Sequence, residues 1–288
     1  KKIGIEINKK KLSLVEIHNR PEYAVYLIKN YPNLKINLIF HNDPNTIRYS
    51  DNTYYKKFLL ENCNKIIFVS KWVKKRFFLN LNIQHRNNTE IIYNFIDPIS
   101  KFPKKYKTII FAGKLNKSKG FNIFGKSITR ILDRYPEWSA EVFGNEHREK
   151  HIFKHKNLKI LNFQKNDFVL NTLKITSIFV ACPKWEEPFG RSSLEASSVG
   201  CATIITNRGG LIETTNHPVV LKKINENELY KSIKNLILNP KIMNKFQKLN
   251  YNNFFLTHKY VSKLIDDVRK KVFSNLFSNK LRVNRNSN

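Results

Sequence analysis

Residues 183–213 constrain the fold more than any other part of the chain. A turn at Pro188-Phe189-Gly190 leads into a short helix that we predict over 191–200, and the β-branched run 202–206 is typical of a buried parallel strand. A glycine-containing turn before a helix leaves free backbone N–H groups at the positive end of the helix dipole, where anions bind. We therefore expect a parallel α/β sheet with an anion site at this turn.

Two acids flank the turn. Glu187 precedes it and Glu195 lies within the helix, eight residues further on, so both carboxylates can face one ligand. The alternative is structural: Ser192 and Glu195 also fit a capping box, with Ser192 as the N-cap. Taken alone, these residues leave both interpretations open.

The rest of the chain alternates short apolar runs with helical patterns, which predicts doubly wound parallel sheets. Predicted strands cover 13–17, 35–40, 65–69, 90–93, 108–112, 140–143, 158–161, 178–181 and 202–206. Predicted helices cover 22–30, 54–62, a segment capped by Ser70, a segment after Gly120, 228–238, 241–250 and 260–277.

The length of 288 residues allows two domains, each with its own core. We expect a first domain over 1–98, a basic, proline-containing linker over 99–107 and a second domain over 108–259. A C-terminal helix, 260–277, should pack back toward the first domain, and the polar tail 278–288 should fray.

The net charge is +30, which suggests an anionic partner. No nucleic-acid-binding motif accompanies the charge, so we expect an anionic membrane surface or acceptor and no nucleic acid. Cys63, Cys182 and Cys201 lack metal or disulfide spacing and fit buried positions in a reducing compartment. Neither a signal peptide nor an apolar run of membrane-spanning length is visible, and we expect a cytoplasmic location.

Two lysines form a second candidate site. Lys114 and Lys119 lie on the turn between the strand 108–112 and the following helix, where two ammonium groups can neutralise a diphosphate. The alternative is a solvated basic loop in a lysine-rich protein.

Two histidine-bearing turns follow the first predicted strands. Ligands collect at the carboxyl ends of strands in open α/β sheets, so these turns are candidates for substrate contact. The candidates are His18, Asn19 and Arg20 in the first turn and His41, Asn42 and Asp43 in the second.

These motifs resemble those of glycosyltransferase family 4, the group-1 retaining glycosyltransferases of GT-B fold. The spacing Glu187-x7-Glu195, the intervening Pro-Phe-Gly and the later Gly-Gly-x-x-Glu resemble the family's donor-site signature. GKLNKSKG resembles the family's GRLxxxKG turn, with Lys114 in place of the usual Arg. Nearer the N-terminus, NLIFHND, IIFVSKWV and YNFID match family segments, and HNRPEY and HNDP resemble members that build lipopolysaccharide cores.

The resemblance implies two Rossmann-like domains, of which the N-terminal one is incomplete. The family's first strand, its Gly-rich loop and the following βα units have no counterpart here. The chain starts at Lys1, and its one methionine is Met243. We therefore expect an N-terminally truncated family member.

The resemblance also implies roles for residues. The catalytic residues would be His41 and Glu187, with Glu187 orienting the donor sugar and Glu195 holding the ribose. The donor-binding residues would be Lys114, Lys119, Phe189, Gly190, Arg191, Ser192, Glu195, Gly209 and Gly210, and the acceptor-side residues would be His18, Asn19, Arg20, Asn42 and Asp43. Because no Asp-x-Asp occurs, we expect no cofactor and no metal; the partners would be a nucleotide sugar and a glycan or lipid-linked acceptor.

Two other functions compete with this one: a truncated chain that binds a nucleotide sugar or an anionic surface without turnover, and a nucleic-acid-binding protein. The segment 71–78 mixes four cations with four large apolar residues, which suits peripheral attachment to the inner face of the cytoplasmic membrane. The alternative is that Val73 and Phe77, one helical turn apart, belong to the core.

Overall fold

The computed structural model describes residues 13–83, 86–149 and 153–283, with side chains as far as Ser274. These residues form two compact units: the first contains the described residues up to Asn94 and the chain from Lys259 onward, and the second spans Phe95–His258. Within the described ranges, none of the helices combines the length and the apolar character needed to cross a lipid bilayer.

The first unit is a parallel α/β sheet. Its strands are β1 Leu14–His18, β2 Lys35–Phe40, β3 Lys65–Phe68 and β4 Thr89–Ile91, and its helices between them are α1 Pro21–Asn30, α2 Thr53–Asn62 and α3 Lys71–Phe78. The described strands pair in the order β1-β2-β3-β4, all parallel. Each element coincides with a predicted one to within two residues.

Aromatic rings fill the core between β2, β3 and α3. Phe40, Phe68 and Phe77 are fully buried, with ring centroids 5.3 to 5.8 Å apart. Ser70 caps α3 as predicted, because its hydroxyl accepts a hydrogen bond from the N–H of Val73 at 3.0 Å. Val73 and Phe77 are therefore core residues of this unit.

The second unit is a larger sheet of the same kind. Its strands are β5 Tyr106–Ala112, β6 Ser139–Phe143, β7 Leu158–Ile160, β8 Thr176–Ala181, β9 Ala202–Thr206 and β10 Val219–Leu221. Its helices are α4 Phe121–Arg134, α5 Asn166–Ile175, α6 Arg191–Ser198, α7 Glu226–Leu238 and α8 Pro240–Asn252. The sequence did not predict α5 or β10, and β5 includes the last two residues of the predicted linker 99–107.

The strand order of the second sheet, β10-β9-β8-β5-β6-β7, fixes where a ligand can bind. The chain builds outward from β5 in one direction through β6 and β7, and in the other through β8, β9 and β10. β5 and β8 therefore flank the topological switch point, and the crevice outside their carboxyl ends is the expected ligand site of such a sheet. The α/β class with parallel sheets is confirmed.

Helix α4 anchors the turn that precedes it. Its apolar face is buried against the sheet as predicted, with Phe121, Phe124, Ile128, Ile131 and Leu132 in the core and Tyr135, just after the helix, half-buried. Burying these side chains fixes the start of the helix, and with it the position of the lysine-bearing turn, against the sheet.

The last described helix, α9 His258–Val283, contributes its residues from Lys259 onward to the first unit. The Arg269 guanidinium donates to both carboxylate oxygens of Glu16 on β1, at 3.1 and 2.5 Å, and these hydrogen bonds lower the pKa of Glu16. The Lys35 ammonium donates to the carbonyl of Val272 at 2.6 Å. Residues 278–283 of the predicted frayed tail are helical, and 284–288 lie outside the described residues.

Candidate functional site

Two adjoining clefts open at the carboxyl edge of the second sheet. The smaller, of about 290 Å³, is lined by the ends of β5 and β8 together with Lys114, Lys119, Glu187 and Gly190. The larger, of about 400 Å³, has a mainly apolar wall that includes Phe143, Phe163 and Val169. Ala112, Gly113, Lys114 and Ser192 line both clefts. The space at the switch point thus combines a charged compartment with an apolar one.

The first turn of α6 points its backbone donors at this space. Gly190 is the N-cap and has a left-handed φ of 97°, a conformation that other residues adopt at a cost. The N–H groups of Ser193 and Leu194 bond to the carbonyl of Gly190, whereas those of Arg191 and Ser192 bond to no described residue. The helix end is therefore open to an anion.

The capping-box alternative is wrong. Ser192 is the second residue of α6 rather than its N-cap, and α6 has no side-chain cap. Glu195 instead accepts a hydrogen bond from Nε of Arg191 at 3.2 Å through its Oε1. Its Oε2 accepts none from the described residues.

Lys114 and Lys119 both line the smaller cleft. Lys114 is exposed, and its ammonium group makes no hydrogen bond or ion pair with any described residue. The Lys119 ammonium lies 2.5 Å from Oε2 of Glu187 and 4.7 Å from the centroid of the Trp185 ring. The amide oxygen of Asn116 accepts from the N–H of Lys119 at 2.9 Å and so shapes the turn. Two cations thus face the cleft, and one of them, Lys119, forms an ion pair with Glu187.

Gly209 and Gly210 hydrogen-bond to the loop that contains Glu187. The N–H of Gly209 donates to Oε2 of Glu186 at 2.5 Å, and that of Gly210 donates to the carbonyl of Glu187 at 2.6 Å. A side chain at Gly209 would place its Cβ 2.1 Å from that same carbonyl oxygen. Neither glycine lines these two clefts, and both support the Glu187 loop; their contact with the donor stays a prediction.

Phe189 and Glu195 are both buried, although the sequence predicts that they contact the donor. Phe189 is 3% exposed and Glu195 is 5% exposed, and neither lines the clefts. Burial raises the pKa of Glu195, and the Arg191 guanidinium opposes that shift. Arg191 and Ser192, in contrast, line the smaller cleft as predicted.

A second polar cluster lies at the carboxyl edge of the first sheet, in the other unit. Nδ1 of His18 and Nε2 of His41 are 2.9 Å apart, and the two rings are stacked with an angle of 15° between their planes. Asn19, with a left-handed φ of 53°, accepts the N–H groups of His41 and Asn42 through its Oδ1 at 2.7 and 3.2 Å. Burial lowers the pKa of His41, and the neighbouring His18 lowers it further.

Asp43 is neutralised within this unit. Its Oδ2 accepts from Nε of Arg76 at 2.9 Å, and its Oδ1 accepts the N–H of Asn45 at 3.0 Å. Asp43 is therefore less available to an acceptor than predicted. Arg20 remains exposed, with a 3.7 Å ion pair to Glu22.

The cysteines are free and buried, as expected. Burial raises the pKa of Cys63 and of Cys182 to about 12 and also raises the pKa of Cys201. In the described part of the chain, no group of three or more His, Cys, Asp or Glu side chains is arranged to hold a metal ion.

Comparison with protein families decides the family. The model described as "Glycosyl transferases group 1" matches residues 93–253, more than half of the 288-residue chain. The chain belongs to the group 1 glycosyltransferases. The matched range contains the whole cleft region of the second unit.

Curated relatives and solved structures agree with this family. The putative glycosyltransferase YtcC of Bacillus subtilis is 25% identical over 85% of this chain and 69% of its own length. Spore coat protein SA of the same species is 22% identical over 72% of this chain and 63% of its own length. The chain therefore spans about two thirds of the length of these relatives.

Two solved structures share the fold. A glycosyltransferase from Rickettsia africae has a TM-score of 0.78 at 18% identity and covers 95% of this chain and 80% of its own. Anabaena Alr3699/HepE, solved in complex with UDP and glucose, has a TM-score of 0.77 at 14% identity over 93% of this chain and 81% of its own. The fold of this group 1 glycosyltransferase is thus GT-B-like.

Sequence reasoning missed three parts of this site. Asn116, which shapes the lysine turn, could have been found from the Asn-x-Ser-x-Gly turn pattern. Trp185 lies two residues before Glu187, outside the Glu187-x7-Glu195 spacing, and carried no signal of its own. Phe163 and Gln164 line the larger cleft and follow β7, the edge strand beyond β6, so the sequence could not place them near the end of β5 without the strand order.

Proposed function

We propose that this chain is a retaining glycosyltransferase that moves a sugar from a nucleotide diphosphate sugar to a glycan or lipid-linked acceptor. The proposal includes a role in lipopolysaccharide or other cell-surface polysaccharide synthesis, based on the histidine-bearing turns. One observation carries it: two lysines and an open helix end line one cleft at the switch point, beside Glu187.

The donor's diphosphate would lie between Lys114, Lys119 and the first turn of α6. Phosphate oxygens accept from ammonium groups and from the N–H groups of Arg191 and Ser192. The adjoining apolar cleft has the volume and the walls for a nucleoside. Glu195 is also proposed to hold a ribose hydroxyl through Oε2, which has no described partner. Because Glu195 is buried and lines neither cleft, this contact requires its side chain to move toward the ligand.

Charge stabilisation would supply most of the catalysis. When the diphosphate leaves an oxocarbenium-like carbon, negative charge grows on the phosphate oxygens, and fixed cations and dipoles there lower the barrier. The two lysines and the helix end would act in this way without a metal. Glu187 would accept hydroxyl hydrogen bonds from the transferred sugar and so hold it in place.

In the first unit, His41 is proposed to act on the reacting sugar, with His18, Asn19, Arg20 and Asn42 on the acceptor side. The hydrogen bond between Nδ1 of His18 and Nε2 of His41 couples the tautomers of the two rings. When His18 donates, neutral His41 carries its proton on Nδ1 and presents a donor there, and when His41 donates, its Nδ1 is an acceptor. A His41→Gln variant should lower kcat more than it weakens nucleotide binding, measured by transfer assay and calorimetry.

We further propose a cytoplasmic protein attached peripherally to the inner face of the membrane. Val73 and Phe77 are core residues and Arg76 is paired with Asp43, so the attachment surface reduces to Lys71, Lys74 and Lys75 on α3.

Liposome co-sedimentation tests this attachment. Binding to anionic vesicles should fall with salt and with Lys71→Ser, Lys74→Ser and Lys75→Ser together. The matched control changes Lys241, Lys245 and Lys248, three exposed lysines on α8, to Ser. Equal pelleting of the two triple variants would rule out α3 as the anchor.

A binding protein without turnover is the second candidate, because the cations and the open helix end of the smaller cleft would hold a nucleotide sugar whether or not transfer follows. Calorimetry with UDP, GDP, UDP-glucose and GDP-mannose, followed by a transfer assay, distinguishes the two candidates. Tight nucleotide binding with no transfer or donor hydrolysis would favour the binding protein. Affinity for an oligonucleotide that exceeds all four and collapses with salt would favour nucleic-acid binding instead.

A further inference from the structure

Trp185 ties the two loops of the smaller cleft together. The N–H groups of Lys184 and Trp185 donate to the carbonyl of Ser118, at 2.8 and 3.4 Å, so the loop after β8 is fixed to the lysine turn after β5. The indole itself is 43% exposed. Its position is therefore set by the backbone rather than by burial in a core.

The indole contacts both Glu187 and Lys119, the two charged side chains that form the ion pair of the cleft. Its Nε1–H donates to Oε2 of Glu187 at 3.0 Å, and its ring centroid lies 4.7 Å from the Lys119 ammonium. Lys119 also lies 2.5 Å from the same Oε2. Both donors thus converge on one oxygen of Glu187, and its Oε1 accepts no hydrogen bond from a described residue.

We propose that Trp185 is a positioning residue that sets the orientation of the Glu187 carboxylate and thereby selects the donor's sugar. With Oε2 occupied by two donors, Oε1 is the acceptor left for a hydroxyl of the bound sugar. This inference rests on the proposed function, because it requires that a nucleotide sugar occupies the cleft.

Sugar recognition and nucleotide binding depend on different contacts in this cleft. The diphosphate contacts of Lys114 and the α6 helix end do not depend on the indole N–H. Losing that N–H leaves Glu187 held by Lys119 alone, through a flexible four-carbon stem, so Oε1 is no longer fixed toward the sugar. The loss should therefore appear with a nucleotide sugar and not with the bare nucleotide.

Two substitutions divide the functions of the indole. Trp185→Phe keeps an aromatic ring beside Lys119 and removes the N–H, whereas Trp185→Gln supplies an N–H donor without the ring. Trp72→Phe, which changes an indole in the other unit, is the matched control. Thermal unfolding of each variant shows whether it is folded.

The experiment measures affinity for UDP and for UDP-glucose by calorimetry and kcat by donor hydrolysis or transfer. We expect Trp185→Phe to bind UDP within about twofold of wild type, to bind UDP-glucose about tenfold more weakly and to lower kcat about tenfold or more. Trp185→Gln should recover part of both losses, and Trp72→Phe should show neither.

The outcomes distinguish this inference from the proposed function. Wild-type protein that binds none of UDP, GDP, UDP-glucose and GDP-mannose would overturn both, and if it binds only the guanosine ligands, the variants are compared with GDP and GDP-mannose instead. If wild-type protein binds them and Trp185→Phe keeps the same ratio of UDP-glucose to UDP affinity and the same kcat, only the positioning role fails. Equal losses for UDP and UDP-glucose in folded Trp185→Phe would also overturn it, because they would indicate a general loss of the cleft.

Discussion

The carboxyl edges of the two parallel sheets use their polar side chains in opposite ways. In the second unit, the ammonium group of Lys114 has no hydrogen-bond or ion-pair partner among the described residues and the helix end at Gly190 is open, and both line a cleft. In the first unit, His18 bonds to His41 and Asp43 is paired with Arg76. Two parallel sheets with different strand orders thus present one edge that is open to an anion and one edge whose charges are paired within the unit.

The backbone explains part of this difference. Both edges use left-handed residues, Gly190 in the second unit and Asn19 in the first. Gly190 has no side chain, so the N–H groups after it stay open to a ligand. Asn19 has an amide that accepts the following turn's N–H groups, so its edge is closed by its own side chain.

The largest effect should come from Glu187. Glu187→Ala removes the carboxylate proposed to orient the sugar, so kcat should fall by about 100-fold or more while the fold is kept. Transfer kinetics on the full chain measure it. The corresponding acid of the first edge, changed in Asp43→Asn, should lower kcat far less. A larger loss for Asp43→Asn would reverse the comparison.

The lysine turn should give the next largest effect. Lys114→Ala with Lys119→Ala should weaken UDP binding about 100-fold, or about 3 kcal/mol, because two charge-assisted contacts are lost. Lys117→Ala is the matched control, since it removes an exposed lysine from the same turn that does not line the clefts. Calorimetry measures the UDP affinity of both variants and of wild type. Equal losses from Lys117→Ala would mean that the turn contributes only general positive charge.

The paired charges of the first edge should matter for stability instead. Arg76→Met leaves Asp43 without its half-buried partner, so the free energy of unfolding should fall by about 1–3 kcal/mol. Denaturant unfolding measures this loss. UDP affinity of the folded variant should match wild type, and a weakened affinity would show that the two edges are not independent in function.

The smallest effects should appear as opposite pH dependences of Glu195 and Glu16. Burial raises the pKa of Glu195, so its contribution to stability is present below the unfolded pKa and is lost as pH rises through the folded pKa. Hydrogen bonds from Arg269 lower the pKa of Glu16, so its contribution is present above the unfolded pKa and is lost as pH falls through the folded pKa.

The measurement is the Tm of each Gln variant between about pH 4 and pH 7. Glu195→Gln should gain Tm over wild type as pH rises, because Gln carries no buried charge. Glu16→Gln should lose Tm relative to wild type over the same rise. Parallel curves for the two variants would contradict the opposite pKa shifts of these two carboxyl groups.

Much of the fold could be predicted because its elements are locally encoded. Ser70 caps α3, and α4 shows an apolar face at helical spacing, so both follow from neighbouring residues. Helix α5 was missed although half of its residues are apolar, because Lys165 provides no side-chain cap that would mark its start. β10 has only three residues and is defined by pairing with β9.

The site could be predicted residue by residue but not as a set of contacts. Lys114, Lys119, Glu187, Gly190, Arg191 and Ser192 all line the smaller cleft, as their types and turns suggested. The ion pair of Lys119 with Glu187 joins positions 68 residues apart, and the supporting role of Gly209 depends on the path of a neighbouring loop. Such contacts arise from the strand order, which a single sequence does not state.

A crystal structure of the chain with UDP tests the central claim most directly. The account predicts the diphosphate in the smaller cleft, with its oxygens within hydrogen-bond distance of the Lys114 and Lys119 ammonium groups and of the N–H groups of Arg191 and Ser192. It predicts the uridine in the adjoining cleft beside Phe143 and Val169. A diphosphate bound elsewhere, with both lysines left in solvent, would contradict it.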